Sequence, residues 1–235
     1  MIGRVATLVA RTQLTRGRLI ALVAIGGFAV FLGLVTGKGD SPRQISDTLD
    51  MTQGYGLQLL APVVSLVLAS AALGDFVDDR TLVYLWLRPV PRWQISVGAA
   101  IASVGTALPL VVIPVTLAAY LGSADPSVAA GAAAASTIAT LGYAGVFLAL
   151  GFKVRRALVW GLAYILIWEG FLARSVGFCA KLSISVYARS LLAHIADGEL
   201  PKHASTITGA VVWPPLVAVL AIILTARMLQ TTEVA

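Results

Sequence analysis

Few residues in this 235-residue chain have the type and spacing for covalent chemistry. Its two histidines, His194 and His203, lie nine positions apart, so they lack the i, i+4 spacing with which a helix presents two imidazoles to a zinc ion. The segment GLVTGKG, Gly33 to Gly39, approaches a phosphate-binding loop. It is one residue short, lacks the Ser or Thr that should follow the lysine, and continues an apolar run where a strand is needed, so it reads as a helix end. Cys179 is the single cysteine and has no partner for an intrachain disulfide. With no GxSxG segment and no Cys and His pairing, nothing sets a nucleophile against a base. No metal or cofactor is expected on this chain, and an intramembrane enzyme would need facing acid, base or metal groups that the sequence does not supply.

One acid stands apart. Glu169 interrupts the otherwise uncharged run from Ala157 to Ala173. Thirteen residues beyond Arg156, at about 1.5 Å each, it falls about 20 Å into a hydrocarbon core about 30 Å thick. A carboxylate at that depth is costly unless it faces other helices, meets a cation or takes up a proton. Arg174 and Lys181, just past the end of the same helix, are the available cations. Two roles follow: a clamp that holds the next segment against this helix, or a gate acid that changes partner as a pathway opens.

The other concentration of chemistry is GDFVDDRTLVYLWLRPVPRWQISVG, Gly74 to Gly98, which carries three aspartates, three arginines, two tryptophans and two prolines. From Asp78 to Leu87 the pattern predicts a short helix with Leu82, Leu85 and Trp86 on an apolar side and Asp79, Arg80 and Val83 on a wet side. Pro89 and Pro91 end it, because neither can continue a helix. A flat amphipathic helix of this kind is a surface for another protein; the plainer alternative is a solvated loop.

The elements that must position these residues follow from composition. Hydrophobic residues make up 58% of the chain and charged ones 12%, where soluble domains carry about 25% charged; the mean hydropathy is +0.90. Uncharged runs extend over Leu19–Gly37, Met51–Gly74, Trp93–Ala124, Pro126–Phe152 and Ala204–Ala226, with Ala157–Ala173 as a sixth. Each is near or above the roughly 20 residues that span a bilayer as a helix, and none alternates as a membrane barrel strand does. The expectation is an all-α membrane protein with six transmembrane helices in one domain over residues 1–235. The first run exceeds the length of a signal-peptide core and is expected to be retained.

Orientation comes from the basic residues. Eleven of the seventeen lie at one end of these helices, including Arg4, Arg11, Arg16, Arg18, Arg80, Arg88, Arg92, Lys153, Arg155, Arg156 and Arg227; the opposite end holds six. The positive-inside rule therefore puts both termini in the cytoplasm. The net charge of +6 is accounted for as a topology signal, with no nucleic-acid partner implied. Arg4, Arg11 and Arg18 recur every seven residues opposite Ile2, Ala6 and Val9, which suits an interfacial helix over residues 1–18. Within the outer segment 174–203, Ile184, Tyr187, Leu191 and Ile195 share one helical face, Ser183 can cap the start, and Asp197 with Gly198 can end it. The run AAGAAAAS, Ala129 to Ser136, is small enough for neighbouring helices to approach closely. Pro62, Pro109, Pro114, Pro214 and Pro215 are expected to kink their helices.

The stretch DRTLVYLWLRPVPRWQISVG resembles the cytoplasmic motif of type-two ABC exporter permeases, in which a charged segment leads to Thr-Leu, a leucine-rich turn, Pro-x-x-Arg and the next membrane helix. Thr81, Leu82, Leu85, Pro89, Arg92 and Gly98 occupy matching positions. A second stretch, LIWEGFLARSVGFCAKLSISVYA, is similar to the fifth helix and outer hairpin of actinobacterial members, with Trp168, Glu169, Leu182, Ser183 and Tyr187 in place. One position departs: the family carries a glutamate five residues before the threonine, and this chain has Phe76 there, beside Asp75. The resemblance implies a permease subunit in a prokaryotic plasma membrane that pairs with a second, usually identical permease and with two cytoplasmic ABC ATPase subunits. Those partners would bind the ATP and Mg, so hydrolysis would not occur on this chain. The segment Asp75–Arg92, with Asp78, Asp79, Arg80, Thr81, Leu82, Leu85, Pro89 and Arg92, would be the coupling helix that rests on the ATPase. The cargo implied is amphipathic or apolar, because the runs offer a charged solute only Glu169. A related possibility is a transporter-like subunit whose ATPase drives assembly or signalling.

Overall fold

A computed structural model describes residues 2–37, 43–78, 91–175 and 177–231, and every regular element among them is helical. Helix α1 spans Ile2–Gln13 and α2 Arg16–Gly37. Helix α3, Gln44–Met51, runs through a π-helical stretch, Thr52–Leu60, into α4, Ala61–Asp78. Helix α5 spans Arg92–Ser123 and α6 Pro126–Lys153. Helix α7, Ala157–Ala163, continues as a second π-helical stretch, Tyr164–Leu172, and then α8, Ala173–Ser175. Two further helices, α9 over Gly177–Ala180 and α10 over Ile184–Ile195, lead to α11, Ile207–Thr231.

Among the described residues, five helical segments are long and apolar enough to cross a membrane: Arg16–Gly37, Gln44–Asp75, Arg92–Ser123, Pro126–Lys153 and Ile207–Gln230. Ala157–Leu172 is equally apolar but shorter. The chain is thus an all-α protein of multi-pass membrane character. Burial ranks the segments: 78% of the apolar window of the second is covered inside the molecule, against 22% for the first and 17% for the last. The second therefore forms the centre, while the first and last turn side chains such as Ile20, Phe31, Leu220 and Leu224 outward, where hydrocarbon is their natural solvent.

Helix α6 is the hub, packing along α4, α5, α10 and α11. Its small residues make this possible, as the AAGAAAAS run predicts. Within that run a methyl group at Gly131 would stand 3.3 Å from the Leu192 carbonyl oxygen; beyond it the approach is closer still, 2.5 Å from a methyl at Gly145 to the Cα of Ala218 and 2.4 Å from one at Gly151 to the Ser70 carbonyl oxygen. Backbones this close gain dispersion contacts along their length, the main attraction available between helices in lipid. Between α5 and α6 the chain reverses at Ala124, in left-handed backbone at φ 53°, and Asp125 caps α6 by accepting from the Ser127 N–H at 2.8 Å.

The N-terminal helix is shorter than the interfacial helix expected over residues 1–18. It ends at Gln13, and Arg18 belongs to α2. The seven-residue recurrence of arginines crosses a helix boundary, so its third member does not share a face with the first two. Helix α1 also packs on α5 and α4, burying Val9 and Gln13.

The first π-helical stretch has a local cause. Pro62 has no N–H, and its ring clashes with the carbonyl four residues earlier; just before it the turn widens, with the Ala61 N–H bonding to the Gly56 carbonyl.

Candidate functional site

The sequence-selected residues fall at the two ends of the helices. At the basic end, Asp79 to Val90 lie outside the described residues, and with them Arg80, Thr81, Leu82, Leu85 and Pro89. Asp78 is the last residue of α4. Arg92 is the first residue of α5, and it donates to the carbonyls of Leu229 at 2.7 Å and Gln230 at 2.9 Å. Those are carbonyls at the C-terminal end of α11, where the helix dipole favours a cation, so Arg92 ties the start of α5 to the end of α11.

Asp75 has a partner that the sequence did not point to. Arg18 donates to both of its carboxylate oxygens, at 2.7 and 3.2 Å, and both side chains are about a third exposed, 32% and 36%. The pair joins the root of α2 to the last turns of α4. Beside it opens a cavity of about 300 Å³, lined by Ser70, Gly74, Gly151, Arg156 and Leu158 among others. Deeper in, Gln13 is wholly buried; its Nε2 donates to the Leu68 carbonyl at 3.1 Å and to Ser103 Oγ at 2.9 Å, and its Oε1 accepts from Thr106 Oγ1 at 3.1 Å. Three of the four hydrogen-bonding directions of this amide are used, and α1 is pinned to α4 and α5 by one side chain.

At the opposite end, Glu169 is buried, with 1% of its surface exposed. Of the two cations expected beside it, one can be placed. Lys181 is exposed, and its carbonyl accepts from the Tyr187 hydroxyl at 2.8 Å. Arg174 lies in α8, and its side chain is outside the described set. Among the described residues, hydroxyls and an amide stand around the carboxyl: Ser183 Oγ and Ser185 Oγ both donate to Oε2, Ser185 at 2.6 Å, while the Ile184 N–H at 3.1 Å and the Tyr164 hydroxyl at 3.3 Å donate to Oε1. Ser183 is also the N-cap of α10, accepting from the Val186 N–H. The acid therefore receives the N-terminal end of α10, where unpaired N–H groups and the helix dipole favour an oxygen acceptor. It fastens this helix to the π-helical stretch from fourteen residues upstream of the cap.

The π-helical geometry builds part of this site. In an α-helix, residues five apart point in different directions; where the bonding is i to i+5, they come into line. That alignment brings Tyr164 over Glu169. An aromatic column runs away from the acid, with Trp168 stacked on Tyr164, Tyr164 edge-on to Phe147, and Phe147 stacked on Tyr143. The Tyr143 side chain is buried beside Glu169 and Ser185.

Helix α10 is the outer helix that the sequence predicts, with Ser183 capping it and Asp197 in left-handed backbone at its end. Its buried side is wider than the face of Ile184, Tyr187, Leu191 and Ile195, because Ser185, Ala188 and Leu192 also turn inward on α6. Ser190 adds a second tie, accepting from the Ser205 N–H. No protein-family model and no curated protein matches the chain.

Proposed function

We propose that this chain is the permease subunit of an ATP-driven exporter of the type-two ABC class. The observation that carries the reading is where the charged segment is rooted. Residues 79–90 join α4 and α5 at the basic end, and both helices pack on the hub α6. A partner that pushes on this segment would move the centre of the molecule and leave its lipid-facing rim in place. The motif from Thr81 to Arg92 supplies the chemistry for such a partner: an amphipathic sequence pattern ending in prolines, expected as a helix for a cleft on a cytoplasmic ATPase.

The finer layout belongs to the same proposal. Ala157–Leu172 and α8 give an unbroken helical path of nineteen residues, about 28 Å at 1.5 Å each, close to the thickness of the hydrocarbon core. It serves as the fifth of six crossings, with both termini in the cytoplasm of a prokaryotic cell. A second permease, identical or related, completes the pathway. Two ATPase subunits bind ATP and Mg and supply the free energy. The cargo is amphipathic or apolar.

The experiment replaces Arg80 and Leu82 together by Asp in the full chain, co-expressed with its ATPase. The doubly substituted permease should insert normally while losing co-purification of the ATPase and the stimulated ATP turnover. The two changes add negative charge and remove an apolar anchor, so the loss should exceed the 0 to about 1 kcal/mol of a surface ion pair. Undiminished ATPase recovery and turnover would refute the assignment.

A further inference from the structure

The Glu169 site contains more oxygen contacts than a plain clamp needs. Oε2 of Glu169, Oγ of Ser183 and Oγ of Ser185 form a closed triangle: each hydroxyl lies within hydrogen-bond distance of the carboxyl oxygen, and the two hydroxyls are 3.0 Å from each other. A triangle has three edges, and each hydrogen bond along an edge uses one hydrogen. With the carboxyl ionised, the two hydroxyl hydrogens both go to Oε2 and the edge between the serines is idle. With a proton added, three hydrogens serve three edges. The carboxyl O–H donates to Ser183 Oγ, the Ser183 hydrogen turns from Oε2 to Ser185 Oγ, and Ser185 still donates to Oε2. Ser183 keeps a lone pair for the Val186 N–H throughout. On the other oxygen, the Ile184 and Tyr164 donors are undisturbed.

We propose that Glu169 is a proton-binding site, one that takes up and releases a proton without unlatching α10. The arrangement goes beyond the permease reading and does not depend on it. A clamp alone would be served by one serine at the cap; the second, at Ser185, is what gives the added proton an acceptor chain. The protonation change is a rearrangement of hydrogens on fixed oxygens: one proton adds to Oε2, one hydroxyl rotates, and no heavy atom has to move.

The titratable and charged groups around the acid come from each element packed on it. Tyr143 stands on α6 and Tyr164 on the same helical path as the acid. Arg189 on α10 donates through Nε to the Ser185 carbonyl at 3.4 Å, Lys181 is exposed in the turn before α10, and Arg174 follows in α8.

The test is infrared spectroscopy of the full chain in lipid nanodiscs, titrated reversibly with acid. Subtracting the Glu169→Gln spectrum from the wild type isolates the carboxylic C=O band of this residue. The band should appear on acidification and disappear on return while the protein stays folded. The Ser185→Ala chain breaks the triangle while leaving the acid and the Ser183 cap. Its band should be displaced, and its thermal unfolding midpoint should fall further on acidification than the wild type's. This variant carries the test by itself if Glu169→Gln fails to accumulate. A wild type that unfolds before any Glu169 band appears would overturn the proposal, as would a Ser185→Ala chain whose band and acid profile match the wild type.

Discussion

The two ends of the molecule fasten a helix in opposite ways. At the basic end, α2 is joined to α4 by a charged pair, Arg18 and Asp75, left about a third open to solvent. At the other end, α10 is joined to the Tyr164–Leu172 stretch by a single buried acid surrounded by hydroxyls and one N–H. An exposed ion pair is held loosely and screened by salt, so it is made and broken at little cost. A buried carboxyl cannot be left without its donors, nor they without it, because water is not there to replace the lost bonds. The contrast suits an end that has to respond to a partner and an end that has to stay closed until something specific acts on it.

Removing the acid should produce the largest change. Glu169→Ala strands the Ile184 N–H and two serine hydroxyls in the interior, at roughly 1–3 kcal/mol for each buried group left unsatisfied, and opens a cavity besides. The unfolding midpoint in detergent should fall further than for any substitution at the basic end, and residues of α10 should exchange backbone hydrogens faster. An unchanged midpoint would mean that the acid does not fasten α10.

Gln13 comes next, as the buried member of the basic end. Gln13→Leu keeps the volume but removes three hydrogen bonds, each worth about 1 kcal/mol net. Thr106 and Ser103 retain bonds to helix carbonyls, which softens the loss. The expected outcome is a moderate drop in midpoint with preferential proteolysis of α1.

The exposed pair should matter least to stability. Arg18→Ala and Asp75→Ala should each cost about 0–1 kcal/mol, and a double-mutant cycle should show a coupling that shrinks as salt is raised. A coupling that is large and insensitive to salt would erase the distinction between the two ends.

Smallest of all is the cap of α6. The Ser127 backbone N–H, and secondarily its side chain, hold the Asp125 carboxyl below the usual carboxylate range. A carboxyl with a lowered folded value contributes stability above its unfolded value and loses it as pH falls through the folded one. Asp125→Asn should therefore flatten a slight acid-side decline in the midpoint while keeping the cap, since Asn caps helices as well as Asp does.

What was legible in the sequence follows from the kind of signal involved. Five of the six spans were legible because a helix that crosses lipid must be long and apolar; the sixth run, Ala157–Ala173, is apolar and helical but shorter. The α10 helix was legible from its period and from Ser183, and the close approach to α6 from its alanines and glycines. Glu169 was singled out by its depth, and cations were sought beside it because charge is what a sequence displays; its hydroxyl and amide donors were not legible. Ser183, Ser185 and Tyr164 are ordinary residues until the π-helical stretch turns Tyr164 into line and the hairpin returns the serines to the acid. Nothing in the run of residues from Tyr164 to Leu172 announces that geometry, which contains no proline. Gln13 was hidden for the same reason: a lone amide in a basic amphipathic segment reads as surface, and only the packing of α1 on α5 buries it. Arg18 was assigned to the wrong helix because a seven-residue period carries no mark of the break at Leu14 and Thr15.

The account as a whole rests on the two ends lying on opposite sides of the membrane, with the basic end inside. Side-specific thiol labelling in intact cells measures this directly. In a Cys179→Ser background, cysteines introduced one at a time as Thr12→Cys and Val90→Cys should react with an impermeant reagent only after the membrane is opened, and Ser41→Cys and Ala204→Cys should react without opening it. Labelling of Val90→Cys from outside would contradict both the orientation and the permease assignment built on it.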